Sequence, residues 1–207
     1  MALAQTDNVD LERVAPKKLK KSLVKTQLFM VENITDLSPT CPQIEDSTHY
    51  YHKYTIYFDA PIDSVWKAYN TISPSEVWKS KIISFGFAYT RESGELFYED
   101  EAFEHLEEGQ IQFLSLRYLW GIFKLNIAHE LIGIDENSKS LQFCYVQYGK
   151  SQGTQIISLK EENGKTKVSH NTYYKSGSKF RDKRIYPHFH ELTIADLHKN
   201  IQRILEE

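Results

Sequence analysis

Alternation of apolar and polar residues with period two dominates the chain from Thr48 onward, and one segment of helical period closes it. In Tyr50-Tyr51-His52-Lys53-Tyr54-Thr55-Ile56-Tyr57-Phe58, Tyr54, Ile56 and Phe58 share one face, and Lys53, Thr55 and Tyr57 share the other. That is the mark of a half-buried strand. Ala60-Pro61 ends the strand, and Pro61 suits a first helical position. A helix over 62–69 follows, packing through Val65, Trp66 and Tyr69. Ser73-Pro74-Ser75-Glu76 reads as a capping box, with Ser73 as cap, and opens a short helix over 74–79 that carries Val77 and Trp78. Strand-like segments are expected near 82–89, 96–105, 110–119, 123–134, 140–147, 155–160 and 167–174. The separators, Glu107-Glu108-Gly109, Asp135-Glu136-Asn137-Ser138 and Glu161-Glu162-Asn163-Gly164, are short and turn-like, and Asn163-Gly164 is the strongest hairpin signal. Short links imply an antiparallel meander rather than crossover units. Leu192, Ile194, Leu197, Ile201, Ile204 and Leu205 then recur at helical spacing, which predicts a helix over 187–205 whose apolar stripe buries against the sheet.

The first 47 residues have a different character. Lys17, Lys18, Lys20, Lys21 and Lys25 crowd one segment, and Leu19, Leu23, Val24 and Leu28 recur at helical spacing after Pro16, so a short basic helix is expected over 17–32. Its lysines read as a solvated face or as a contact with a membrane surface or acidic partner. The loop Asp36-Leu37-Ser38-Pro39-Thr40-Cys41-Pro42 then breaks the chain. The division expected is an extension over 1–47 and a domain over 48–207.

Composition narrows the classes. Lys and Arg number 25 against 28 Asp and Glu, a net charge of −3, which gives no pull toward nucleic acid. No apolar run approaches the roughly 18 residues that span a bilayer. The start, Met1-Ala2-Leu3-Ala4-Gln5-Thr6-Asp7, lacks a basic segment followed by an apolar one, so no signal peptide is read and a cytoplasmic location is expected. Cys41 lies in a Pro-flanked loop and Cys144 in a strand; a disulfide is possible, and two reduced thiols are the plainer reading. Thirteen Tyr against two Met suits half-buried strands and polar-tipped pocket walls.

A strand, two short helices, a long antiparallel meander and a final long helix resemble the helix-grip fold of the START-related lipid carriers, the polyketide cyclases and the birch-pollen-allergen-type proteins. The local match is Phe58-Asp59-Ala60-Pro61-Ile62-Asp63-Ser64-Val65-Trp66, similar to the opening of that superfamily in which an apolar strand meets Ala-Pro and then Val-Trp on a helix. The resemblance covers roughly residues 48–206. It implies an α+β fold with a curved antiparallel sheet of about seven strands around the last helix and a cavity between them. Members bind lipids, sterols, aromatic polyketides or plant hormones, and some catalyse cyclisation, dehydration or hydrolysis. They share no single catalytic motif, so no catalytic residue is carried over, and fold alone does not license function.

Candidate chemistry comes from the residues. Arg117 shares a strand face with Ile111, Phe113, Ser115 and Leu119, where it could anchor a ligand carboxylate or pair at a strand end. His129 shares a face with Phe123, Leu125, Ile127 and Leu131, as a general base or as a satisfied half-buried histidine. His170, beside Val168 and Thr172, is read the same way. Glu99 and Glu101 share a face with Phe97 and Phe103, but Asp100 on the other side favours a solvent-facing strand. His188, His190 and His198 lack metal-ligand spacing, so no metal is expected, nor any cofactor. Lys175, Lys179, Arg181, Lys183 and Arg184 form a basic loop that is either solvated or meets an acidic partner such as an acyl carrier protein. The function expected is binding of a hydrophobic or aromatic small molecule, oriented by Tyr57, Phe113, Arg117, His129, Tyr145 and Tyr173. The alternative is a cyclase, aromatase or dehydratase in which Arg117 and His129 act on a biosynthetic intermediate.

Overall fold

The computed structural model of the protein describes residues 9–14, 31–41, 48–119 and 122–207. Among them are strands β1 (Tyr50–Phe58), β2 (Ile83–Thr90), β3 (Leu96–Phe97), β4 (Gln110–Tyr118), β5 (Phe123–Asp135), β6 (Ser140–Tyr145), β7 (Gln152–Glu162) and β8 (Lys165–Lys175). They form one eight-stranded sheet in the order β1-β8-β7-β6-β5-β4-β2-β3. Every neighbouring pair is antiparallel. The first strand and the last lie side by side, with β1 at one edge of the sheet and β3 at the other. Helices α1 (Ile62–Thr71) and α2 (Pro74–Val77) follow β1, and α3 (Tyr186–Glu206) closes the chain after a π-helical turn over Arg181–Ile185. The architecture is α+β.

Local chemistry explains the elements. Asn163 and Gly164, at φ 54° and 75°, make the two-residue turn between β7 and β8, the left-handed geometry that Asn-Gly favours. Ser73 caps α2 by accepting from the Ser75 N–H, one residue earlier than the expected box. Register shifts at Phe85/Phe87 and Leu131/Gly133 are bulges that bend β2 and β5. Gly153 approaches β8 so closely that a Cβ there would lie 2.0 Å from the Tyr173 carbonyl oxygen, so glycine is required.

Two expectations change, and a third lies almost wholly outside the described residues. The strand expected over 96–105 shrinks to two residues. Beyond them the chain turns as Tyr98 N–H donates to Glu101, and the acidic run meets Arg13, whose Nη atoms lie 2.6 Å from Asp100 and 2.9 Å from Glu101. The helix expected over 17–32 falls almost wholly outside the described residues, and Val31 and Glu32 at its end are not helical. The two thiols are not free: Cys41 and Cys144 form a disulfide. Spacing hid this pairing, because it depends on the segment before β1 crossing the sheet to reach β6.

That crossing makes a second core. The inner core lies between the sheet and the helices and includes Phe58, Val65, Trp66, Leu114, Leu131, Val168, Leu197 and Ile201. The outer core places Val14, Val31, Ile34 and Leu37 on Phe87, Ile111, Phe113 and Val146 of the opposite sheet face. Arg91 lies within this cover. Its Nε and Nη2 donate to Glu130 at 2.7 and 2.9 Å, its Nη1 donates to the Thr35 carbonyl at 2.9 Å, and Nη2 also meets the Leu37 carbonyl. Both faces of the central strands are therefore buried.

Candidate functional site

Between the inner sheet face and α3 lies a cavity of about 60 Å³, with a second of about 40 Å³ beside it; Trp78, His129 and Gln155 line both. Most of the wall is apolar, from Leu116, Leu125, Ile127 and Phe189. Strand parity selects the rest. Gln112 on β4 stands opposite His129 on β5, and His129 stands opposite Tyr145 on β6, so one row of the inner face carries all three.

The tautomer of His129 follows from its neighbours. Trp78 Nε1–H, which can only donate, meets Gln112 Oε1 at 2.9 Å, so that atom of the amide is the oxygen. The other amide end donates to Gln110 Oε1 at 3.0 Å, which agrees. His129 Nε2 lies 3.1 Å from the same Oε1 and must therefore carry the proton. Its Nδ1 is a bare lone pair, buried and without a hydrogen-bond partner among the described residues. Burial holds the His129 imidazole neutral, with its pKa pushed down to about 3.

A second polar chain runs under α3. Tyr69 Oη lies 2.5 Å from His198 Nδ1, His198 Nε2 3.1 Å from His170 Nδ1, and His170 Nε2 3.0 Å from Gln155 Oε1. Gln155 Oε1 also meets His190 Nε2 at 3.3 Å, and His190 Nδ1 meets His52 at 3.3 Å. Neutral imidazoles, each one donor and one acceptor, satisfy every link. Burial lowers His190 and His198 to about 3 and His170 well below its usual value. Nearer the π-helical turn, Tyr145 and Tyr186 hydroxyls lie 2.5 Å apart, and Tyr118 bonds to Thr193 and to the Phe189 carbonyl. Desolvation pushes Tyr118 up to about 12 and raises Tyr145 further.

Of the six expected site residues, the structure brings His129 and Tyr145 to the cavity and places four elsewhere. Arg117 and Phe113 lie on the outer face: Phe113 stacks on Phe87 at 4.4 Å, and Arg117 Nη2 donates to Ser84 at 2.6 Å. The register explains this. His129 pairs with Gln112, so its face-mates on β4 are even-numbered, and Arg117 and His129 cannot share a wall. Tyr57 is 45% exposed and donates to Glu162, and Tyr173 lies against Tyr51 on the same outer face. Glu99 pairs with Lys79 at the surface. Sequence reading missed Gln112, Gln155, Trp78, Tyr118 and Tyr186. For Gln112, the available signal was a pair of glutamines, at 110 and 112, on the opposite parity of β4 from Ser115 and Arg117.

The fold has known counterparts. Ginseng major latex-like protein 151 from Panax ginseng matches with a TM-score of 0.54 at 12% identity, over 75% of this chain and 97% of that one. Ara h 8.0201 matches at 0.53 and 11% identity, over 76% and 97%. A norcoclaurine synthase point mutant from Thalictrum, solved with a transition-state analogue, matches at 0.52 and 13% identity, over 76% and 94%. These likenesses establish the helix-grip fold, with its sheet around a long C-terminal helix. No family model matches the sequence, and no curated protein does.

Proposed function

We propose that this chain binds a hydrophobic or aromatic small molecule in the cavity between the sheet and α3. The observation that carries the reading is a mostly apolar space between the sheet and α3 with a few polar side chains, among them His129, Tyr145 and Gln155, in its wall. A cavity of about 60 Å³ is on the scale of a few waters, so even a single ring, which takes a cavity of about 150 Å³, requires α3 or the π-helical turn to move. Native mass spectrometry of the purified protein tests this. A co-purifying small hydrophobic compound supports it. An empty protein that also shows no thermal shift with small aromatic or aliphatic compounds overturns it.

The cyclase, aromatase or dehydratase alternative draws on the norcoclaurine synthase likeness, but it needs a base that titrates near neutrality. Burial holds His129, His190 and His198 at about 3, which makes each a weak base in the resting state. The binding reading is therefore favoured. An acidic partner such as an acyl carrier protein would meet the basic loop of Lys175, Lys179, Lys183 and Arg184; salt-sensitive association with a purified carrier protein supports that partner, and no association removes it. No helix among the described residues is long and apolar enough to cross a membrane. The cytoplasmic location expected from the sequence meets a Cys41–Cys144 disulfide, a bond that persists chiefly in oxidising compartments. Thiol alkylation before lysis reads which compartment applies.

A further inference from the structure

In an antiparallel meander alternate links lie at the same end of the sheet, and the two ends here differ in character. One end carries the turns with Glu107 and Glu108, Asp135 and Glu136, and Glu161 and Glu162, and it is acidic. The other end carries the β4–β5 hairpin tip, the β6–β7 loop and the segment between β8 and α3. These three segments border the first cavity, to which Leu125, Ser151 and Arg181 contribute. Arg181 ties two of them, its Nη2 donating to the Lys150 carbonyl at 2.6 Å.

This second end exposes apolar side chains where turns ordinarily carry polar ones. Ile122 is 84% exposed and Phe180 69%, and Leu119 and Tyr148 are exposed as well. The hairpin tip reads Leu119-Trp120-Gly121-Ile122 and contains no polar side chain. Tyr51 and Tyr57, exposed on the outer sheet face, differ in that their hydroxyls are spent on Asn171 and Glu162. The same end exposes Lys124, Lys150, Lys179, Lys183 and Arg184, and none of them meets a carboxylate among the described residues. The one acid within 119–124, 146–151 and 175–184 is Asp182, which is 2% exposed and accepts from the Ser176 N–H. Single exposed apolar residues need no explanation; four on adjoining loops, among free cations and with no exposed acid, do.

We propose that this end of the molecule docks on an anionic membrane surface. The apolar tips enter the boundary between headgroups and acyl chains, and the cations meet lipid phosphates and carboxylates. The acidic end then points to water, so charge alone orients the approach. An acidic protein would answer the cations but leave the apolar hairpin tip unmet. A second copy of this chain would answer the tips but set like charges against each other. Docking needs no cavity ligand, so it stands or falls apart from the binding reading above.

Flotation of the full chain with phosphatidylcholine vesicles, with and without phosphatidylserine, tests it. Wild type should float with the anionic vesicles, and added salt should weaken the association. Ile122→Ser and Phe180→Ser change exposed positions and should leave the urea midpoint unchanged, while each lowers the partition about tenfold, as withdrawing one such side chain from an apolar phase does. Lys179→Gln and Lys183→Gln should each lower it about fivefold, on anionic vesicles only. Trp66 and Trp78, the other two tryptophans, are buried, so a vesicle-induced blue shift of emission reports Trp120. That shift decides should a serine variant fail to fold: it is expected in wild type, and its absence overturns docking through the tip. Wild type that does not float overturns the proposal, and carrier-protein binding or self-association lost in the serine variants then identifies the occupant. Equal flotation of wild type and a variant carrying both serines also overturns it, and assigns the lipid contact to another part of the chain.

Discussion

The two faces of one sheet are buried by opposite means. On the outer face, a charge is taken in together with its partner: Glu130 is 5% exposed and holds Arg91 by two hydrogen bonds under the chain segment around Leu37. On the inner face, ionisable groups are taken in without a counter-charge. His129, His170 and His198 are each at most 2% exposed and stay neutral. The outer face is covered by the protein's own N-terminal residues, tied down by a disulfide, while the inner face retains space and a nitrogen without a donor. Side chains one residue apart on the same strand thus serve different ends. A buried charge with its counter-charge marks the covered outer face, and neutral imidazoles beside open space mark the inner one.

Acid should break this comparison most strongly. The imidazoles of His129, His190 and His198 titrate near 6.5 in an unfolded chain and at about 3 in the folded one. Below pH 6.5 the unfolded state binds more protons, so stability is complete above that value and is lost as pH falls toward 3. The loss is about 1.4 kcal/mol per pH unit for each such imidazole. Urea midpoints at pH 7.5 and 5.0 should differ steeply; equal midpoints would mean that the inner histidines are not buried neutral.

On the outer face, Arg91→Ala strands the Glu130 carboxylate and should cost about 3–5 kcal/mol at neutral pH. The same urea titration checks it, and a cost below about 1 kcal/mol would make the ion pair a surface feature. Cys41→Ser opens a loop of sequence separation 103 and should cost about 2–4 kcal/mol, with hydrogen exchange rising first at Phe87 and Phe113. Exchange that rises evenly over the sheet would show that the cover is not a local unit. Tyr57→Phe removes an exposed bond to Glu162 and should change stability by less than about 0.5 kcal/mol and leave ligand binding intact. A loss of binding in this variant would return Tyr57 to the site.

The order of elements was legible because each element carries its own period. The helix expected over 187–205 is α3, and Asn163-Gly164 is the tight turn it promised. The site was less legible, for a reason visible in β4. Gln110 to Tyr118 is buried on both faces but for Arg117, so apolarity cannot say which parity faces the cavity. Arg117 and His129 each looked like a lone polar group on an apolar wall, but only their register shows that the walls differ. The stripe of α3 misled in the same way: Leu192 is 42% exposed, while His190, Thr193 and His198 are buried. A histidine reads as polar in any sequence pattern, yet a chain of neutral imidazoles bonded to one another can occupy a core.

The Cys41–Cys144 bond also sets how the molecule would carry load. β1 is an edge strand, and it is the first strand of the chain. A pull on the N-terminus would ordinarily peel it from β8 one hydrogen bond at a time, like a zipper. The disulfide diverts that tension past β1 and delivers it to β6, in the interior of the sheet, where hydrogen-bonded neighbours on both sides hold the strand. Oxidised, the protein should rupture in one abrupt event at high force; reduced, it should unravel gradually from its edge.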